Sequence, residues 1–159
     1  MPVDNEFLGW IGVHRVSAWD VRYRSAWPQV EDTPVMMGHR FIQNFGDCRS
    51  EISQSDSWIW FYDLKKSAGD EEIFKNLPQR GATPLEVIWT LCSFQKDGEE
   101  GLLRVDAATN IFYCLSPHVG MCCVYLRFAV DRGWSIRSYP ITSDSQWIVC
   151  GQRVFGSVE

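Results

Sequence analysis

The sequence is short of long apolar runs, of basic charge and of known catalytic spacings, and each shortage excludes a class of function. No window approaches the roughly 18 consecutive apolar residues of a membrane-spanning helix, so no membrane partner is expected. The amino end, Met-Pro-Val-Asp-Asn-Glu, lacks the basic and apolar regions of an export signal, and a cytoplasmic protein is expected. Fifteen Lys and Arg against 20 Asp and Glu leave a formal net charge of −5, which argues against general nucleic-acid binding. Missing too are a phosphate-binding Gly-rich loop, a nucleophile elbow, a His-Glu-x-x-His pair and a dinucleotide fingerprint, so no cofactor is expected and the reading leans away from an enzyme. With no repeat, low-complexity tract or linker, the 159 residues read as a single globular domain over 1–159.

Six cysteines are present, but none forms a Cys-x-x-Cys knuckle. Cys114, His118, Cys122 and Cys123 cluster in sequence without a second histidine nearby. Strand alternation would send Cys122 and Cys123 to opposite faces, so no metal site is expected. Cys48 lies between Asp47 and Arg49, where a thiolate could be stabilised, with His39 or His118 as a base; nothing in the sequence brings them together.

What the chain does have is an apolar helix signal. Thr83 stands at an N-cap position, Pro84 at the first helical position and Glu86 at the third, which spells a capping box opening a helix from Pro84 to Lys96. Leu85, Val87, Ile88, Trp89, Leu91, Cys92 and Phe94 cover most of its circumference, and only Glu86, Thr90 and Ser93 form a polar stripe. Such a helix must be wrapped. Trp10 to Val16, Trp19 to Arg24, Trp58 to Tyr62, Leu102 to Val105, Ile111 to Leu115, Cys122 to Val130, Trp134 to Tyr139 and Gln146 to Cys150 read as strands, the last five as an antiparallel meander. Val35 to Phe45 fits strand or helix, Gly46 to Ser57 reads as a loop, and Asp70 to Leu77 as a short acidic helix ended by Pro78. The expected fold is α+β, a mostly antiparallel sheet of about five to seven strands packed on one main buried helix.

Two surfaces are candidates for function. Around Asp131-Arg132-Gly133 a three-residue loop with a left-handed Gly would set Val130 opposite Trp134, Arg127 opposite Arg137 and Tyr125 opposite Tyr139. Opposed arginines repel unless an anion or a neighbouring carboxylate lies between them, so Tyr125, Arg127, Arg137 and Tyr139 form a candidate site for an anionic small ligand, or for a small enzyme. The acidic runs Asp70, Glu71, Glu72 and Asp97, Glu99, Glu100 bracket the main helix and could steer a basic protein partner onto the domain. The leading expectation is a non-enzymatic protein-binding module, of the kind an inhibitor or immunity factor represents, acting through an acidic and aromatic surface. The alternative is the anionic-ligand site.

Overall fold

A computed structural model of the chain describes residues 5–16, 35–46, 57–77, 82–141, 146–147 and 151–158. Its strands are β1 (Leu8–Val16), β2 (Val35–Met37), β3 (Ser57–Leu64), β4 (Ala68–Gly69), β5 (Asn110–Ser116), β6 (Gly120–Ala129), β7 (Gly133–Pro140), β8 (Gln146–Trp147) and β9 (Arg153–Val158). The helices are α1 (His39–Phe45), α2 (Asp70–Asn76) and α3 (Leu85–Phe94). Seven strands form one sheet in the order β1-β3-β9-β5-β6-β7-β2, and β4 pairs with β8 in a separate ribbon. The sheet is mostly antiparallel, with β5–β9 and β2–β7 as its parallel pairs. The fold is α+β. No helix among the described residues is long and apolar enough to cross a membrane.

Period-two alternation divides the sheet into two buried faces. Phe112 and Cys114 of β5, Cys122, Val124, Leu126 and Phe128 of β6, and Trp134 and Ile136 of β7 meet α1 and α3 on one side. Ile111, Tyr113, Cys123, Tyr62 and Val154 meet Ile73 and Leu77 of the α2 segment on the other. Helix α3 is buried on every side from Leu85 to Cys92, as its composition requires. The expected capping box does not form: the cap has no side-chain hydrogen bond, and the Thr83 N–H instead donates to the Tyr113 carbonyl at 2.7 Å. The polar stripe is turned onto the helix itself, with Thr90 Oγ donating to the Glu86 carbonyl and Ser93 Oγ to the Thr90 carbonyl, both at 2.7 Å.

Residues 102–105 are not a strand. Gln95, just past α3, supplies the partners that a neighbouring strand would have given: the Leu103 N–H donates to Gln95 Oε1, and Gln95 Nε2 donates to the Leu103 carbonyl, each at 2.9 Å. Asn110 repeats the device, accepting from the Arg104 N–H at 2.7 Å and donating to the Arg104 carbonyl at 3.0 Å. The ambiguous segment 35–45 holds both structures, split at Gly38. Strand β9 was not foreseen, and it lies near the centre of the sheet between β3 and β5. The expected strand Trp19–Arg24, the loop residues 47–56, Pro78, Cys48 and residues 148–150 lie outside the described residues.

The β6–β7 hairpin also departs from the expected pairing. Arg132 N–H closes a turn onto the Ala129 carbonyl at 3.1 Å, and Gly133, at φ 75°, follows the turn and pairs with Ala129. Phe128 therefore faces Trp134, Arg127 faces Ser135, and Tyr125 faces Arg137. The expected opposition of Arg127 and Arg137 is corrected. A shift of two residues leaves the side chains of β6 and β7 on their predicted faces and changes their neighbours, but it ends β6 at Ala129 and puts Val130, expected opposite Trp134, into the exposed turn.

Candidate functional site

The site arises where β2 leaves the sheet. β2 runs beside β7 only as far as Met37 and Ile136; the Gly38 N–H makes one further bond to the Ile136 carbonyl at 2.8 Å, and the chain then turns into α1. Glycine eases the fit at this turn, because a Cβ there would lie 3.0 Å from Arg137 Cγ and 3.3 Å from the Ile136 carbonyl oxygen, closer than side chains ordinarily pack. β6 continues along the other side of β7 as far as Pro140, but on the β2 side no strand among the described residues runs beside Arg137–Pro140, and a cleft of about 310 Å³ opens there, lined by Gly38, His39, Arg40, Arg137, Ser138 and Tyr139.

Its walls are held from behind. Phe41 packs edge-on against Trp89 of α3 at 5.8 Å, Asn44 Nδ2 donates to Ser138 Oγ at 2.9 Å, and Ser116 Oγ donates to the Asn44 carbonyl at 2.6 Å. On the opposite side of the strand, aromatic rings form a continuous stack. The Arg40 guanidinium sits 4.9 Å from the Tyr139 ring centre, Tyr139 stacks on Tyr125 at 5.7 Å, and Tyr125 meets the edge of Trp147 at 5.3 Å. Burial and a hydrogen bond with Tyr139 push the Tyr125 phenol well above its ordinary range, partly countered by Arg137. Tyr125 is thus a neutral donor and acceptor at neutral pH.

Of the four residues expected to form an anion site, Arg137 and Tyr139 line the cleft, and Tyr125 supports it from below. Arg127 is elsewhere, with Nη2 donating to Thr109 Oγ1 at 3.0 Å. The second guanidinium at the cleft comes instead from Arg40. No carboxylate among the described residues forms an ion pair with Arg40 or Arg137. Sequence reading missed Arg40 because α1 and β7 are nearly 100 residues apart in the chain; the one local signal was a Gly-His-Arg step inside a segment of mixed periodicity.

The acidic residues are placed differently from expectation. Asp70 is only 1% exposed and accepts hydrogen bonds from the Tyr113 hydroxyl at 3.0 Å and from Trp147 Nε1. Burial raises its carboxyl above the usual range, against the lowering effect of these donors. Glu71 and Glu72 are exposed on α2, over one face of the sheet. Asp97, Glu99 and Glu100 follow α3, over the other face, where the Asp97 N–H donates to a Glu99 carboxylate oxygen at 3.0 Å. The two runs therefore belong to opposite sides of the sheet and do not form one surface.

Cysteine chemistry is also constrained. Cys114 and Cys122 face each other on one side of the sheet and Cys123 points to the other, beside Asp70. Burial raises the Cys92 and Cys123 thiols far above their ordinary range and Cys122 to about 11, so these thiols are protonated and non-nucleophilic at neutral pH.

The fold and cleft define an α+β protein with a mixed seven-stranded sheet and a basic, tyrosine-backed notch at the end of strand β2. No protein-family model, curated protein or solved structure matches the chain.

Proposed function

We propose that this protein is a binding domain for a small anionic ligand, which it holds in the Arg40–Arg137 cleft. The observation that carries the reading is that two arginines, Arg40 and Arg137, line one open cleft with no carboxylate partner among the described residues, Arg137 being hydrogen-bonded instead to the neutral Tyr125 phenol. Like charges brought together without a counter-charge repel, and an anion between them removes the repulsion while gaining charge-assisted hydrogen bonds. Arg40 is already ordered against Tyr139, so less conformational freedom is lost when it binds. No nucleophile or base is needed for this role. In a thermal-shift panel of acetate, phosphate, sulfate and citrate at constant ionic strength, at least one anion raises the Tm of the native protein, and Arg137→Ala and Arg40→Ala each abolish that rise. Equal shifts in the native protein and both variants would sink the reading.

A protein-binding role has its own support in a different place. Trp10, Ile11 and Val13 of β1 and Trp58 of β3 are exposed together at one border of the sheet, and aromatic rings are enriched where proteins meet. The acidic runs contribute to such a role only one face at a time. Charge reversal at Glu71 and Glu72, or at Glu99 and Glu100, slows association with a given partner for one pair and leaves it unchanged for the other; stopped-flow association rates at two salt concentrations test this.

A further inference from the structure

We infer that the group recognised in the cleft is the dianionic phosphate of a small phosphate monoester; this rests on the reading of the cleft as an anion site. Charge is the first argument. Two arginines line a cleft in which the described residues supply no negative charge. A carboxylate offsets one of them, whereas a phosphate monoester carries about −1.5 to −2 near pH 7 and offsets both. The second argument is direction. Arg40 Cζ lies over the Tyr139 ring, 4.9 Å from its centre, a contact that uses none of the guanidinium N–H donors, and none of them forms an ion pair among the described residues. Arg137 approaches from β7 with its Cγ close over Gly38, and its guanidinium keeps further donors besides the one it gives to the Tyr125 phenol. A planar carboxylate is filled by one bidentate fork. Two forks carried on different elements suit a tetrahedral group, whose three terminal oxygens can accept from both at once.

Size sets the rest of the ligand. A volume of about 310 Å³ is at the small end of ligand sites, which run from roughly 300 to 1,000 Å³. It holds the phosphate and a few attached atoms, with the remainder of the ester reaching into solvent past the exposed His39.

The test is a titration of the full chain at pH 7.5 and fixed ionic strength, followed through the arginine Nε–H NMR signals, with glycerol 3-phosphate, inorganic phosphate and acetate as probes. Glycerol 3-phosphate is expected to bind at least about 30-fold more tightly than acetate, which corresponds to about one extra charge-assisted contact. Its affinity falls as the pH drops below about 6, where the phosphate takes up a proton. Arg40→Lys and Arg137→Lys, which retain charge and lose the fork, are each expected to lose about 10-fold for glycerol 3-phosphate and little for acetate. Equal affinity for acetate and glycerol 3-phosphate would overturn the phosphate assignment while leaving an anion site in place. Inorganic phosphate binding well above the ester would overturn the monoester. No response of the Arg40 and Arg137 signals to any of the three probes would overturn the anion site itself.

Discussion

Gly38 lies close under Arg137 where strand becomes helix, so a side chain added there presses directly on one wall of the cleft. Gly38→Ala would place a methyl 3.0 Å from Arg137 Cγ and 3.3 Å from a carbonyl oxygen. We expect a loss of about 1 to 2 kcal/mol in urea unfolding and a displaced Arg137, seen as anion affinity reduced several-fold. Asp70 offers a second residue-scale test. Desolvation disfavours the ionised form in the folded protein more than its hydrogen-bond donors favour it, so its folded pKa lies above the unfolded value. Its contribution to stability is therefore complete below the unfolded pKa, near 3.9, and is lost as the pH rises through the folded pKa. Asp70→Asn removes this loss and flattens the stability profile above pH 4. Asp70→Ala instead leaves the Tyr113 hydroxyl and the Trp147 indole N–H without their acceptor and costs about 2 to 4 kcal/mol. Urea unfolding across pH 4 to 8 separates the two. At this scale the sequence showed which face each residue of β6 and β7 occupies, since alternation depends on parity alone. It could not show which residue lies opposite, because a two-residue shift costs the pattern nothing.

Elements were legible where a local rule and burial agreed, and illegible where a single side chain replaced a whole strand. Helix α3 was plain from its apolar circumference, yet its capping box yielded to tertiary context once Thr83 N–H found the Tyr113 carbonyl. Residues 102–105 have strand composition and lack a strand because Gln95 and Asn110 satisfy their backbone. Strand β9 was hidden by Gly156 and Ser157. Gln95→Ala removes three buried or half-buried hydrogen bonds, one of them to the Glu99 carbonyl. A destabilisation of about 2 to 4 kcal/mol is expected, with amide exchange at Leu103 accelerating ahead of that in β5 and β6.

Across the whole molecule, the seven-stranded sheet places Glu71 and Glu72 over one face and Glu99 and Glu100 over the other, an arrangement that composition alone cannot reveal because net charge has no position. Substitutions at one acidic pair should leave binding at the other unchanged within about 0.5 kcal/mol. The border formed by β1 has a consequence of another kind. Trp10 pairs with Tyr62 and Gly12 with Phe61, so Ile11 is an extra residue that bulges the strand and breaks its pleat midway. Among the described residues β1 is the outer strand here, and a second strand laid along it is expected to lose register at the bulge, which works against edge-to-edge growth. Deleting Ile11 would straighten the margin. The protein should then remain folded by circular dichroism while its sedimentation becomes concentration-dependent, trading a small irregularity for a tendency to polymerise.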